Sequence, residues 1–161
     1  MFRRSARFGV IFLCLLLFVG CAAKDNYITC DDIRLLLPES YVNLSDEAYA
    51  EDFDFLYGIG SEAVLGFKYD RATLETRFPG ISAKEYAQKF VDAAHLSCEV
   101  TEQDGLVTFS YAETSDGAEI TYLSAIFMTQ KNVWVVQFYC PTAEYDQKQA
   151  TFMNLLHAVQ K

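Results

Sequence analysis

Apolar and polar residues alternate with a period of two through most of the second half of the chain. Four such runs occur, at residues 98–102, 106–113, 119–129 and 133–140. The segments between them are short and polar, at 103–105, 114–118 and 130–132. Because short links of this composition join antiparallel neighbours, we predict a four-stranded meander. Its last run is apolar on both faces, which predicts a central strand covered on each side.

Helical periodicity flanks this meander. Ser82 and Glu85 form a capping box, in which the Ser82 oxygen accepts a hydrogen bond from the Glu85 N–H and the Glu85 carboxylate reaches back. One apolar helical stripe follows, made of Tyr86, Ala87, Phe90, Val91 and Ala94. After Pro141, Thr142 is the predicted cap of a terminal helix. The apolar face of that helix comprises Tyr145, Phe152, Met153, Leu156 and Val159.

The first half of the chain has weaker signals. Residues 27–37 alternate around Asp31-Asp32, which predicts a first strand or a strand pair, with a turn signal at Asp31-Asp32 and an end at Pro38. Residues 63–69 predict another strand, and Gly58 and Gly60 before it suit a hairpin or bulge. The remaining predictions are a short helix within residues 44–54, with Ser45 as its N-cap, and a polar excursion over residues 70–80 that ends in a turn.

This order of elements resembles the Mog1/PsbP-like family of small α/β/α sandwiches over most of residues 27–161. Four features carry the resemblance: the opening strand ending Leu35-Leu36-Leu37-Pro38-Glu39-Ser40-Tyr41, the Ser82 helix, the meander to Trp134-Val135-Val136-Gln137-Phe138, and the closing amphipathic helix. The resemblance implies an α+β fold, with a curved antiparallel sheet of about six strands packed between helices. It also implies noncatalytic roles in assembly or binding. No binding residue of the family maps onto this sequence.

The first twenty-one residues have the pattern of a bacterial export signal. Arg3, Arg4 and Arg7 precede the apolar run 8–19, which has the length of a signal h-region. The whole apolar stretch 8–23 is short for a membrane span of about 20 residues. Residues 17–21 resemble a lipobox, with Phe18 where leucine is usual, and they end in Cys21. We therefore predict a signal peptide at 1–20, diacylglycerol on Cys21, a short tether at 21–26 and a single domain at 27–161. Ordinary cleavage near Ala23, which would give a secreted protein, and an uncleaved anchor are the alternatives.

Removal of the signal makes the exported chain more acidic. The whole chain has a net charge of −9, and residues 1–20 contain three of its basic residues and none of its acidic ones, so the remainder has a charge of −12. Such a field repels nucleic acid and anionic membrane surfaces, and it attracts cations or basic partners. The sequence predicts a monomer without a cofactor at the extracytoplasmic face of the cell membrane. Its predicted partner is a protein or an envelope component.

Three cysteines remain after Cys14 and Cys21 are set aside. Cys30, Cys98 and Cys140 allow one disulfide, in any of three pairings, or three buried thiols. The most acidic stretch offers four carboxylates as a weak cation-site candidate, Glu47, Glu51, Asp52 and Asp54. A solvated helix face is the simpler interpretation of these four. Neither His95 nor His157 has zinc-ligand spacing from a cysteine pair.

Three functions follow from these features. The first is a noncatalytic, membrane-anchored lipoprotein that binds a protein or an envelope component. The second is a receptor for a small ligand or divalent cation, since tyrosine and phenylalanine are abundant enough to line a pocket. The third, a hydrolase with Cys98 activated by His95 or His157, is disfavoured because the exported chain contains no hydrolase motif.

Overall fold

The computed structural model of the protein describes residues 25–46 and 52–161, so the predicted signal peptide and Cys21 lie outside the described residues. A two-stranded hairpin comes first, formed by β1 (Asp25–Cys30) and β2 (Ile33–Pro38). A seven-stranded antiparallel sheet follows, in the order β3-β4-β5-β9-β8-β7-β6. Its strands are β3 (Val42–Asn43), β4 (Phe55–Ile59), β5 (Glu62–Asp70), β6 (Thr101–Gln103), β7 (Leu106–Ser115), β8 (Ala118–Met128) and β9 (Asn132–Pro141).

Three α-helices flank the sheet in the described part of the chain. They are α1 (Arg71–Arg77), α2 (Ala83–Ala93) and α3 (Tyr145–His157), the last preceded by a 3-10 turn at Thr142–Glu144. The predicted meander is confirmed, and β9 is the middle strand of the sheet. Asp116 and Gly117 both have positive φ angles, of 51° and 80°, as a type I′ hairpin requires. Within the described ranges, no helix is long and apolar enough to cross a bilayer.

One side of the sheet, here called the hairpin face, is covered by the β1–β2 hairpin and α3. Alternate residues of β9, from Trp134 to Cys140, point into this side and are at most 1% exposed. The hairpin contributes Ile33, Leu35 and Leu37, and α3 contributes Phe152 and Leu156. The apolar face predicted for α3 is therefore confirmed.

The other side, here called the helix face, is covered by α2. Ala87 and Val91 are buried against Val133 and Val135, the intervening residues of β9, and against buried residues of β7 and β8. The Ser82–Glu85 capping box is present, with the Glu85 N–H 3.2 Å from Ser82 Oγ. Ala94, predicted to belong to the apolar stripe, is exposed at the end of α2.

Several sequence predictions differ from the structure. The excursion at 70–80 contains helix α1, whose N-terminus is capped by the Asp70 carboxylate at 2.7 Å from the Thr73 N–H. Thr142 does not cap α3, because its hydroxyl hydrogen-bonds with Thr121 at 2.9 Å instead. Residues 47–51, in the middle of the helix predicted at 44–54, lie outside the described part, and the structure assigns no α-helix to residues 44–46 and 52–54. The main sheet has seven strands, close to the predicted number of about six; the strands at 27–37 form a separate hairpin, and the two-residue edge strand β3 was not predicted.

A polar network fixes the hairpin turn to the sheet. The Asp32 carboxylate accepts hydrogen bonds from Trp134 Nε1 at 2.7 Å, from Asn132 Nδ2 at 3.1 Å and from the Thr129 hydroxyl. Asp31 forms an ion pair with Lys68 at 2.9 Å. Burial alone would raise the pKa of Asp32, but the three hydrogen bonds outweigh it and lower that pKa to about 2. The turn predicted at Asp31-Asp32 is confirmed, and its carboxylates have a structural role.

Candidate functional site

Three tyrosines lie side by side on the helix face, in neighbouring strands and at the same register. Tyr111 of β7 is opposite Tyr122 of β8, which is opposite Tyr139 of β9. The ring centroids of Tyr111 and Tyr122 are 5.0 Å apart with nearly parallel planes, and those of Tyr122 and Tyr139 are 5.4 Å apart. All three side chains are partly exposed. We call Tyr111, Tyr122 and Tyr139 the tyrosine row.

The strands place the tyrosine row next to the region that α2 covers. Side chains of a strand alternate between faces, so Tyr111 follows Phe109 on the helix face two residues further along β7. Phe109 stacks on Tyr111 at 6.2 Å and also contacts Phe90 of α2 at 5.6 Å. The helix cluster thus reaches Tyr111 at its border, whereas Tyr122 lies outside that cluster.

The buried side-chain amide of Gln137 lies next to the tyrosine row and hydrogen-bonds to one of its hydroxyls. Gln137 is 4% exposed and donates hydrogen bonds to Ser124 Oγ at 2.7 Å and to the Tyr111 hydroxyl at 3.0 Å. Ser124 and Gln137 are opposite each other on β8 and β9, in the register position adjacent to the row. Because a buried amide needs hydrogen-bond partners, this pair also fixes the position of the Tyr111 ring.

Tyr111 and Tyr122 of the row stay protonated at neutral pH. Burial is the main cause that raises the pKa of Tyr111 to about 12, with Glu113 adding to it and the Gln137 hydrogen bond opposing it. Burial and the negative charge of Glu113 also raise the pKa of Tyr122. Tyr111 and Tyr122 are therefore neutral phenols beside the Glu113 carboxylate, and each combines a large apolar area with a polar tip.

The register position of the row continues into a groove at the sheet edge. Beyond Tyr139 come Ala63 of β5, Gly58 of β4 and Val42 of β3. Here the side chains are small, and the surface opens into a groove of about 360 Å³. A Cβ atom on Gly58 would lie 2.8 Å from Leu44 Cδ1, so glycine lets Leu44 sit against β4. Val42 is 56% exposed at the outer end of the groove.

This arrangement is suited to binding. Tyrosines are common at the centres of protein interfaces, because their rings supply contact area at low conformational cost while their hydroxyls form hydrogen bonds. A groove beside such rings can accept an apolar side chain of a partner. The site thus combines a flat aromatic surface with an adjoining recess.

The three cysteines of the domain are free thiols. Cys98 belongs to the cluster on the helix face, whereas Cys140, and Cys30 in part, belong to the cluster on the hairpin face. The sheet therefore separates Cys98 from the other two. Burial raises the pKa of Cys98 and of Cys140, and it raises that of Cys30 to about 11, so none is activated as a thiolate.

The histidines do not complete a thiol-based site. His95, in a left-handed conformation with φ of 55°, and His157 are both exposed at helix ends. Within residues 25–46 and 52–161, Cys98 makes no hydrogen bond to either histidine. Activation of Cys98 would need such a bond and a lowered thiol pKa.

The acidic candidates are only partly described. Glu47 and Glu51 lie outside the described residues, and Asp52 is exposed. The Asp54 carboxylate accepts a hydrogen bond from the Lys68 N–H at 2.8 Å and lies 3.6 Å from Lys68 Nζ. Asp54 thus already has a cationic partner. In the described part of the chain, no group of three or more potential metal ligands converges.

Sequence reasoning did not identify the tyrosine row as a site. It placed Tyr111 and Tyr122 on strand faces, but it could not determine which residues lie opposite one another in neighbouring strands. The signal that existed was a tyrosine near the middle or end of each of three successive runs. A register prediction from the Asp116-Gly117 turn would have aligned Tyr111 with Tyr122.

Comparison with known proteins gives similarity in structure alone. No protein-family model and no curated protein sequence matches this chain. The solution structure of cyanobacterial PsbP (CyanoP) from Synechocystis sp. PCC 6803 superposes with a TM-score of 0.60 at 15% identity, covering 89% of this chain and 95% of that one. LpqN, involved in cell envelope biogenesis of Mycobacterium tuberculosis, gives a TM-score of 0.43 at 11% identity over 85% of this chain and 90% of its own, too low to support an argument. The chain has the PsbP-like fold.

Proposed function

We propose that the protein is a noncatalytic lipoprotein, anchored through Cys21 at the extracytoplasmic face of the membrane, that binds a protein partner through the tyrosine row. The observation that carries this proposal is the row of three partly exposed, contacting rings that leads into the groove beside Val42. The similarity to the PsbP-like fold is consistent with a binding module. The pattern at residues 17–21 supports the anchor.

The anchor is tested first, in cells that make the full chain. Wild type should incorporate a labelled fatty acid and sediment with membranes, whereas Cys21→Ala should do neither. A correctly folded Cys21→Ala variant that still sediments with membranes would overturn the lipid attachment. This experiment involves no residue of the binding site.

Partner binding is tested by site-specific photo-crosslinking in the same cells. A benzophenone amino acid at position 122 should give a discrete adduct with one protein, and the additional change Tyr139→Ala should remove that adduct. A benzophenone at position 27, an exposed tyrosine on the opposite side of the sheet, is the matched control. No adduct from positions 111, 122 and 139 in a membrane-bound protein would refute the binding site.

The groove favours one alternative, a small apolar ligand. Its volume of about 360 Å³ lies within the range of small-molecule sites, and Val42, Leu44 and Tyr139 supply apolar walls. In that case solvent-extracted envelope lipids should raise the melting temperature of wild type. Gly58→Val, whose side chain would displace Leu44 from the wall of the groove, should remove that increase.

A further inference from the structure

The β1–β2 hairpin is the first described element after Cys21, and covalent geometry keeps it near any lipid on that residue. Four residue steps separate Cys21 from Asp25, the first residue of β1. A fully extended chain spans at most about 3.6 Å per residue, so Asp25 stays within about 14 Å of a lipidated Cys21. The short connection to Cys21 therefore keeps the start of the hairpin near the bilayer surface, and it places no such direct limit on any other described element.

The hairpin cannot turn independently of the domain. Its inner residues Ile33, Leu35 and Leu37 are each at most 2% exposed in the core of the hairpin face. Two backbone hydrogen bonds of 2.9 Å join Arg34 to Gln160, which closes the outer edge of β2. At the turn, the Asp32 network holds the hairpin to β9. The position of the hairpin relative to the bilayer thus sets the orientation of the whole domain.

The outer surface of the hairpin has the chemistry of a membrane interface. Its register places Tyr27 opposite Leu36 and Thr29 opposite Arg34, all pointing away from the core. Tyr27 is 50% exposed, and the Arg34 guanidinium lies 4.7 Å from the centroid of its ring. Tyrosine rings are enriched at the headgroup level of bilayers, and arginine binds phosphate groups through paired N–H donors.

The charges near this surface are mixed, because the acidic residues Asp25 and Glu39 lie at the end of the hairpin nearest Cys21, so attraction to phosphate depends on Arg34. The carboxylate of Asp31, at the turn end of the hairpin, is paired with Lys68. A second basic surface exists around Phe78, where Arg77 and Lys89 stack on the ring at 5.6 and 4.6 Å. That surface is on α1 and α2, across the sheet from the hairpin, so the short connection to Cys21 favours the hairpin.

We propose that the outer surface of the hairpin, with Tyr27 and Arg34 at its centre, rests on the phosphate headgroups of the membrane that holds Cys21. This inference depends on the lipid attachment in the proposed function. It fixes the tyrosine row on the side of the sheet away from the bilayer, where a soluble or surface-exposed partner can reach it. The hairpin thus both links the domain to Cys21 and sets the orientation of the domain on the membrane.

The test uses the isotope-labelled, lipidated protein purified from membranes and reconstituted in nanodiscs of phosphatidylethanolamine and phosphatidylglycerol. A trace of lipid with a gadolinium-chelating headgroup broadens amide signals close to the surface. Signals of Thr29, Arg34 and Leu36 should lose most of their intensity, while those of Tyr111 and Tyr122 should be unchanged. Equal broadening of both sets, or strongest broadening at Arg77 and Lys89, would overturn the proposal.

Two variants test the contact of the hairpin with the membrane separately from the lipid attachment at Cys21. The double change Tyr27→Ser and Arg34→Gln should leave the lipidated protein in the membrane. It should reduce the difference in signal broadening between the hairpin and the tyrosine row by about fivefold, the contribution of one typical basic residue at a membrane surface. Arg77→Gln is the matched control and should change nothing. Loss of the wild-type protein from the membrane would refute the anchor of the proposed function. A membrane-bound protein with an unbroadened hairpin would refute the orientation alone.

Discussion

The two faces of the sheet are built from the same strands but differ in composition. On the hairpin face, β9 contributes a continuous apolar row, and its neighbours from the hairpin and α3 are almost completely buried. On the helix face, β9 contributes Val133 and Val135 but also Gln137 and Tyr139, and the cover by α2 ends near Tyr111. One face is therefore a core along its whole length, whereas the other changes from core to accessible surface. A domain that needs a binding surface can obtain it by leaving part of one sheet face uncovered.

The largest expected loss of stability comes from truncating a buried side chain on the hairpin face. Phe152 is fully buried and stacks on Phe138 at 5.0 Å, so Phe152→Ala should lower the free energy of unfolding by about 3–5 kcal/mol. Phe90→Ala, which removes a partly buried ring on the helix face, should cost about half as much. Urea denaturation of the purified variants measures both values. Equal losses would contradict the difference between the two faces.

The second effect concerns the network at the hairpin turn and depends on pH. The folded-state pKa of Asp32, about 2, is below the ordinary value of 3.8, so its carboxylate stabilises the fold above pH 4. This stabilisation, about 1–2 kcal/mol after allowance for solvent screening, is lost as the pH falls from 4 to 2.

The variant Asp32→Asn should therefore be less stable at pH 7 and should lose less stability between pH 5 and pH 2 than wild type. Thermal unfolding followed by circular dichroism at a series of pH values provides the measurement. Glu39→Gln, a change of the same type at an exposed position beyond the other end of the hairpin, is the control. Parallel pH curves for wild type and Asp32→Asn would show that the network does not depend on this carboxylate.

A smaller effect is expected below the tyrosine row. Gln137→Leu leaves the buried Ser124 hydroxyl without its partner and should lower the free energy of unfolding by about 1–2 kcal/mol. Adding Ser124→Ala should restore part of that loss, since the unpaired group is then removed as well. A double-mutant cycle by urea denaturation tests the coupling. Additive losses would mean that the two residues act independently.

The smallest effect lies at the start of α2. Ser82→Ala removes one half of the capping box and should cost about 0.5–1 kcal/mol. Thr76→Ala is a suitable control, because Thr76 is an exposed residue of α1 whose hydroxyl bonds only to the Ala72 carbonyl within the helix. A loss no greater than that of the control would show that the helix face does not rely on this cap.

The sequence predicted elements well where the hydrophobic pattern was long and regular. Both faces of β9 and the apolar face of α3 followed from alternation and helical spacing alone. Helix α1 was missed because it has no buried residue, so its only signal was Asp70 as a cap. Register between strands is set by tertiary packing, and for that reason the tyrosine row and its groove were not found. The lipid attachment at Cys21 stays a prediction.

The bridge between Arg34 and Gln160 has a mechanical consequence. If a partner pulls on the tyrosine row while lipid holds Cys21, the tension enters the domain at Asp25 and passes through the six paired positions of β1 and β2. Two further backbone bonds at Gln160 and the contacts of the hairpin with the core then share the load. The seven-stranded sheet lies beyond these connections. Under mechanical tension the hairpin should therefore unfold before the seven-stranded sheet, so that the tyrosine row keeps its structure.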